Sequence, residues 1–418
     1  MVRDRFEARL RTIEEMAGPN VIPDRARGQG AVPPEVGADA RLDPSIVPSA
    51  RVGLAVSEPR GVLLTGATGF LGAYLVHALA ERTEARIYCL VRAADREAAR
   101  DRVAAALRRY RLWSAPTLAR VTPLAGDLAV PGFGSTARDY AALAREVDVV
   151  VHNGARVNHA EPYARLRAAN VSGTAEVLRF ACGATPKPVH FVSTTSVASA
   201  TTRPVSTVSE ADRPTLAELT GNGYLLGKWV GEELVAQAAA RGLPAVIHRP
   251  DRVCGSPRTG AAGPDDAFWT MVRAAVHVGG VPPGGDAEVR LVPADYVAAA
   301  LVHTLVHGTP TLVHHLINPT SMRLDTVWER LRHRGFDLPT VPAEELVARL
   351  QRAATTDHVL AAALILAEGA APGAARITAE RTAAALAGSG LACPPMTPAL
   401  LDRHLDYFTD TGFLPRPG

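Results

Sequence analysis

Lysine is almost missing from this chain of 418 residues: of 45 basic residues, only Lys187 and Lys228 are not arginine. Where any positive charge would serve, the sequence writes arginine, so a lysine marks a place where a compact, titratable ammonium does what a guanidinium does not. Cysteine is scarce as well. Cys89, Cys182, Cys254 and Cys393 show no paired spacing, which argues against a zinc ligand set and a disulfide framework. No apolar run approaches the roughly 18 residues of a membrane span; the longest, Val359 to Ala367, soon meets Glu368 and Gly369. The amino terminus carries Arg3, Asp4, Arg5, Glu7 and Arg9 where a signal peptide would have an apolar core, so a cytoplasmic protein without a membrane partner is expected. A net charge of +3 is too small and too dispersed for a nucleic-acid surface. None of the 13 histidines forms a His-Glu-x-x-His pattern. His303 with His307 and His314 with His315 read as core or surface residues, and no metal is expected.

The stretch around which the rest is organised is Gly61 to Gly72. Val62, Leu63 and Leu64 read as a strand buried on both faces, and Gly66, Gly69 and Gly72 follow at a three-residue spacing. At such a turn a side chain is excluded by the tight bend, by close backbone approach to a pyrophosphate and by helix packing. The helix that follows carries Leu71, Leu75, Ala78 and Leu79 on one stripe and aims its amino-terminal N–H groups at the turn, where an anion belongs. A second strand, Arg86 to Val91, leads to Arg92 with no acid before Asp95. An acid there would hold a ribose 2′-hydroxyl, whereas an arginine accommodates a 2′-phosphate. NADPH is therefore the expected cofactor, with Arg92 at the phosphate and Arg96 and Arg102 as helpers.

Strand and helix signals then alternate through Val121 to Ala125, Asp148 to His152, Val189 to Val192 and Ala245 to His248. This predicts an α/β fold, a Rossmann-type doubly wound parallel sheet, with ligands at the carboxyl ends of the strands. Residues 1–50 read as an arm or linker opening with a short helix over Arg3 to Met16, and residues 51–250 as the cofactor domain, with a returning segment near 288–318. Residues 251–418, Ala-rich and mostly helical, read as a smaller substrate domain forming the other wall of a cleft.

Polar residues gather at those strand ends. Asp127 follows the third strand, placed to bond the adenine or to cap a turn. Asn153, Gly154 and Ala155 follow the fourth, Ser193 and Thr194 the fifth. Tyr224 and Lys228 stand four apart on a helix, hence on one face, a rare coincidence with eight tyrosines and two lysines. A tyrosine beside an ammonium ionises more easily, and lysine reaches ribose hydroxyls as a point charge. Hydride addition to a carbonyl builds negative charge on oxygen, which Tyr224 as proton donor and the Thr194 hydroxyl would stabilise. Asn170 holds a loop carbonyl, or a water that relays protons to Lys228, or satisfies helix and strand ends.

Taken together, Thr65 to Gly72, Leu90-Val-Arg92, Gly126-Asp-Leu128, His152-Asn-Gly-Ala155, Ser193-Thr194, Tyr224-Leu-Leu-Gly-Lys228 and His248-Arg-Pro250 resemble the extended short-chain dehydrogenase/reductase superfamily. More narrowly they are similar to the thioester reductase domains that end nonribosomal peptide and polyketide assembly lines, relatives of the carboxylic acid reductases. Leu42-Asp-Pro-Ser-Ile-Val-Pro48 resembles the leading segment of those domains, and the likeness runs from about residue 40 to 320. It implies NADPH held by Thr65, Gly66, Thr68, Gly69, Phe70, Leu71, Gly72, Arg92, Arg102, Asp127, Leu128, Asn153, Gly154, Ala155, Asn170 and Lys228. It also implies Thr194, Tyr224 and Lys228 as the catalytic set. The implied substrate is an acyl or peptidyl thioester on the phosphopantetheine arm of a carrier protein, released as an aldehyde and, with a second hydride, an alcohol. Two features depart from the family. Asp251 stands where a glycine usually follows Arg-Pro, beside the expected substrate entrance, and no carrier segment is recognisable upstream, so a carrier in trans or a larger synthase is expected. The rival readings are a sugar-nucleotide epimerase or dehydratase of the same superfamily and a non-catalytic NADPH-binding scaffold or sensor.

Overall fold

The computed structural model describes residues 32–159, 161–183, 185–199, 201–202, 205–285, 287–354 and 375–417. The expected helix over Arg3 to Met16 and the run from Val359 to Ala367 lie outside the described residues. Seven strands form one sheet: β1 (Gly61–Thr65), β2 (Arg86–Val91), β3 (Val121–Ala125), β4 (Val149–His152), β5 (Val189–Val192), β6 (Ala245–Pro250) and β7 (Val313–Leu316). Their order is β3-β2-β1-β4-β5-β6-β7, and every pairing is parallel. Chain order reverses between β1 and β4, which opens a crevice at their carboxyl ends where a doubly wound sheet receives its ligand.

Strand β1 shows why the sheet is covered on both sides. Val62 and Leu64 enter one apolar cluster and Leu63 the other, because successive side chains alternate across the sheet, and all three are fully buried. On the first face lie α1 (Phe70–Arg82), α2 (Arg96–Arg109) and α6 (Ala294–His307). On the second lie α3 (Gly173–Cys182) and α4 (Gly223–Ala240). The chain after β6 adds α5 (Ala267–Val278), α7 (Leu324–His333) and α8 (Pro398–Asp410). Trp269 of α5, Trp328 of α7 and Phe408 of α8 join the first cluster, so this part of the chain shares the sheet's core.

The segment resembling the family's leader is anchored to the end of α4. Arg241 donates to the carbonyls of Leu42 (2.8 Å), Asp43 (2.6 Å) and Ile46 (3.0 Å), while Leu42 and Ile46 are buried. No helix among the described residues is long and apolar enough to cross a membrane.

Candidate active site

The glycine turn is shaped by exclusion. Gly66 has φ +74°, a left-handed conformation that costs other residues energy. A Cβ on Gly72 would lie 1.9 Å from the Gly66 carbonyl oxygen. Helix α1 begins at Gly69 with no side-chain cap, so its first-turn amides face the crevice unpartnered by any described side chain. This uncapped helix end over a bend with no room for a side chain fits a dinucleotide pyrophosphate. Thr68, Gly69, Phe70 and Leu71 line it, half-buried or exposed. Asn153 Nδ2 donates to the Gly66 carbonyl at 3.3 Å, and Leu128 packs against Gly154 and Gly173. Ala155 is half-buried in the next position.

Thr65 ties the turn to the neighbouring strand. Its Oγ1 accepts the Gly154 N–H (2.8 Å) and contacts His152 Nδ1 (2.8 Å). His152 Nε2 meets Thr174 Oγ1 at 3.1 Å, and that hydroxyl donates to the Asn170 carbonyl at 2.6 Å. Because the Thr174 proton is spent on a carbonyl, His152 carries its proton on Nε2 and receives the Thr65 hydroxyl at Nδ1. Burial first, then the Lys228 charge, lowers its pKa to about 3, so it is neutral and acts as structure. Asn170 lies in a π-helical turn, Ala168–Ser172, a distortion frequent at functional sites. Its Oδ1 accepts the Arg156 N–H (2.7 Å) and its Nδ2 donates to the Arg156 carbonyl (3.0 Å). Of the three expectations for this residue, the hydrogen bonds to Arg156 match the hold on a loop carbonyl.

At β5 the alternation of side chains separates two roles. Ser193 turns inward and donates to Glu232 Oε1 at 2.5 Å. Glu232 is held by Arg249 through Nε (2.9 Å) and Nη2 (2.6 Å), both side chains being almost completely buried. Arg249 Nη1 reaches the Asp212 carbonyl (2.9 Å) and His315 Nε2 (3.4 Å). Thr194, next along, is half-buried, and its Oγ1 accepts the Ser196 N–H at 3.3 Å.

Asn222 caps α4 by accepting the Leu225 N–H at 3.0 Å. Two residues on, the Tyr224 ring meets the His159 ring edge-on, centroids 5.0 Å apart. Lys228, one turn further, is 4% exposed and donates from Nζ to the Val192 carbonyl at 2.6 Å, above the Phe191 ring. Its ammonium thus sits at the carboxyl end of β5, two residues from Thr194. Burial lowers Lys228 to about 8, Glu232 opposing the shift, and burial raises Tyr224 to about 12. The expectation that the lysine makes the phenol easier to ionise is corrected: burial raises Tyr224, while Lys228 gives one of its three N–H groups to the Val192 carbonyl.

Other expected positions are less engaged. Asp127 caps its own turn, accepting the Ala129 N–H at 2.9 Å. Arg92 is exposed, and the Arg102 guanidinium donates to the Arg92 carbonyl. Asp251 accepts from Thr195 Oγ1 and faces Arg290 Nη1, each at 3.4 Å, so it joins the β5 edge to the returning segment. The other lysine, Lys187, is buried at the far end of β5, donates to the Thr185 carbonyl and stands over Phe180; it is structural. A cavity of about 510 Å³ lined by Arg60, Arg86, Arg120 and Arg145 opens at the amino ends of β1 to β3, the wrong end for a dinucleotide.

Sequence reasoning missed His152, Glu232, Arg249 and Arg290. The first and third lay inside recognised motifs, Glu232 stands one helical turn after Lys228, and Arg290 carried no signal.

Residues 64–301 match the family described as male sterility protein, an NAD-binding family. The chain is 36% identical over 385 residues to a linear gramicidin synthase polypeptide of Brevibacillus parabrevis, covering 90% of this chain and 8% of that protein. It is 36% identical over 424 residues to an isonitrile lipopeptide synthase of Streptomyces coeruleorubidus, covering 98% of this chain and 28% of the relative. The chain thus spans under a third of the length of these curated relatives. The crystal structure of the terminal R domain from the myxalamid PKS-NRPS biosynthetic pathway superposes with TM-score 0.84 and 37% identity, covering 92% of this chain and 99% of that one. On the glycine turn, the parallel sheet and these likenesses, the chain belongs to the male sterility protein family, among the thioester reductase (R) domains of nonribosomal peptide and polyketide synthases in the extended short-chain dehydrogenase/reductase superfamily.

Proposed function

We propose that this chain is an NADPH-dependent reductase that releases an acyl or peptidyl thioester from the phosphopantetheine arm of a carrier domain as an aldehyde, with the alcohol as product of a second reduction. The observation that carries the reading is the Lys228 ammonium at the Val192 carbonyl, one helical turn from Tyr224 and two residues from Thr194. Lys228 and Thr194 thus lie at the carboxyl end of β5, on the same side of the sheet as the glycine turn that follows β1. In this reading residues 51–250, with the returning 288–318, hold the cofactor, and residues 251–418 form the substrate wall.

Bound NADPH supplies the hydride. Gly66, Gly69 and Gly72 would leave room for the pyrophosphate and the α1 amides would hold it, while Arg92 would meet the 2′-phosphate. Lys228 would hold the ribose as an ammonium. Thr194, whose Oγ1 already accepts from Ser196, has its own proton to donate to the substrate oxygen. Tyr224, kept neutral by burial, bonds the oxygen as it gains negative charge and then protonates it. Collapse of the resulting hemithioacetal breaks the C–S bond, leaving an aldehyde and the carrier thiol. Asn170 fixes the loop at Arg156 beside the crevice.

The test follows NADPH absorbance while the chain is given a carrier-linked or coenzyme A thioester, and separately a sugar nucleotide. Thioester-dependent oxidation with aldehyde formation is expected. Interconversion of the sugar nucleotide without thioester reduction would replace the reading with the epimerase one.

A further inference from the structure

The connection between Thr194 and Tyr224 is held from outside by a segment about 170 residues later in the chain. Thr207 and Val208 pair in parallel with Arg376 and Ile377, with the Arg376 N–H donating to Ser206 O (2.9 Å) and the Thr378 N–H to Val208 O (2.8 Å). Glu210 completes the attachment. Its Oε1 accepts the Thr382 N–H (2.8 Å) and hydroxyl (2.7 Å), and its Oε2 accepts the Arg381 N–H (3.0 Å). The carboxylate is 3% exposed. Burial alone would raise its pKa, but the bonds from Thr382 and Arg381 outweigh burial and hold it below the ordinary carboxylate value.

The same connection is fastened to the catalytic elements on its other side. Pro214 O accepts the Trp229 indole N–H of α4 at 2.8 Å. Asp212 O accepts from Arg249, whose remaining nitrogens hold Glu232 and through it Ser193, the neighbour of Thr194. His315 of β7 donates from Nδ1 to the Thr378 carbonyl at 2.8 Å, which seats the distal segment against the sheet edge. Residues 205–222 are therefore gripped between the catalytic helix and residues 376–382.

We propose that Glu210 is a positioning residue for the reduction: it latches residues 376–382 onto the Thr194–Tyr224 connection, so that turnover depends on a contact outside the cofactor crevice. The proposal rests on the reductase reading above. A network of charge-assisted bonds fixes a connection more firmly than neutral ones do, and small displacements of catalytic groups cost rate steeply.

The experiment compares the full chain with Glu210→Gln and with the milder Thr382→Val. It measures NADPH affinity, kcat and KM with a pantetheine thioester, and amide exchange over residues 205–222 against residues 61–82. Glu210→Gln is expected to lower kcat by roughly ten- to hundredfold, to leave NADPH affinity within about twofold, and to speed exchange only in 205–222. Thr382→Val is expected to move the same readouts less. Unchanged exchange in 205–222, or faster exchange with kcat intact, overturns the proposal. Should Glu210→Gln not fold, Thr382→Val supports or overturns the latch on the same two readouts. Lack of thioester-dependent oxidation in the unaltered chain would count against the reductase reading, whereas unchanged exchange counts against the latch alone.

Discussion

The two halves of the sheet are built on different chemistry. From β2 to β4 the interior is largely aliphatic: Val62, Leu63, Leu64, Ile87, Val149, Val150 and Val151 are all fully buried, with the His152 imidazole the exception at the end of β4. From β5 to β7 the interior carries ionisable groups. Arg249, His190, His248, His314 and His315 are 0% exposed, and Glu232 and Lys228 nearly so. An aliphatic interior gains stability from every side chain it buries, whereas a buried charge contributes only if its partner is present. The half around the glycine turn is thus secured by composition and the half around Lys228 by pairing. Mutations should separate them.

The sharpest separation comes from Tyr224→Phe. On the proposed reading, loss of the phenol proton reduces turnover by about 10²- to 10⁴-fold, while NADPH affinity stays nearly the same. A partner-binding function surviving that change intact would favour a scaffold. Next in size, Glu232→Ala leaves Arg249 buried without its counter-ion, a loss of about 3–5 kcal/mol, readable in chemical denaturation. The double replacement Glu232→Leu with Arg249→Met should recover much of it. If the double variant is no more stable than the single, pairing is not what secures this half.

Gly72→Ala probes the other half. A methyl cannot fit 1.9 Å from the Gly66 oxygen, and an overpacking cost of about 1–3 kcal/mol is expected, together with weakened NADPH binding. Unaltered affinity would remove the glycine turn from the cofactor site. The remaining tests are those of pH. Lys228, lowered to about 8, loses its charge above that value, so kcat/KM should decline on the alkaline side with an inflection near pH 8. In the acid range, burial sets His152 and His190 at about 3 and His314 at about 4, below the ordinary 6.5. The unfolded chain then binds more protons than the folded one between these values, so stability present above pH 6.5 is lost as pH falls towards 4. A melting temperature flat from pH 7 to 4.5 would contradict the neutral, buried state of these histidines.

Much of this was legible beforehand for a physical reason. Strands β1 to β5 follow from local apolar runs bounded by turns, and the three glycines signal a bend because only the lack of a side chain suits it. Tyr224 and Lys228 were legible because helical periodicity puts residues four apart on one face. Arg290 was not legible, since nothing near it in sequence indicates that it faces Asp251 across 39 positions. Nor was the direction of the Tyr224 shift: the residue pair suggests a charge effect, and only the degree of burial makes desolvation prevail.

By itself, then, the sequence determined the alternating strands and helices, the side-chain-free turn and the placing of Tyr224 and Lys228 one turn apart on one helix, because those depend on periodicity and on short-range sterics. Only the tertiary structure decided that Ser193 turns in to Glu232 and Arg249, that Asn170 clamps Arg156 and that Glu210 fastens residues 376–382 beside the catalytic connection. Such pairings join residues far apart in the chain, and their energies come from burial and distance, which exist only once the sheet has brought them together.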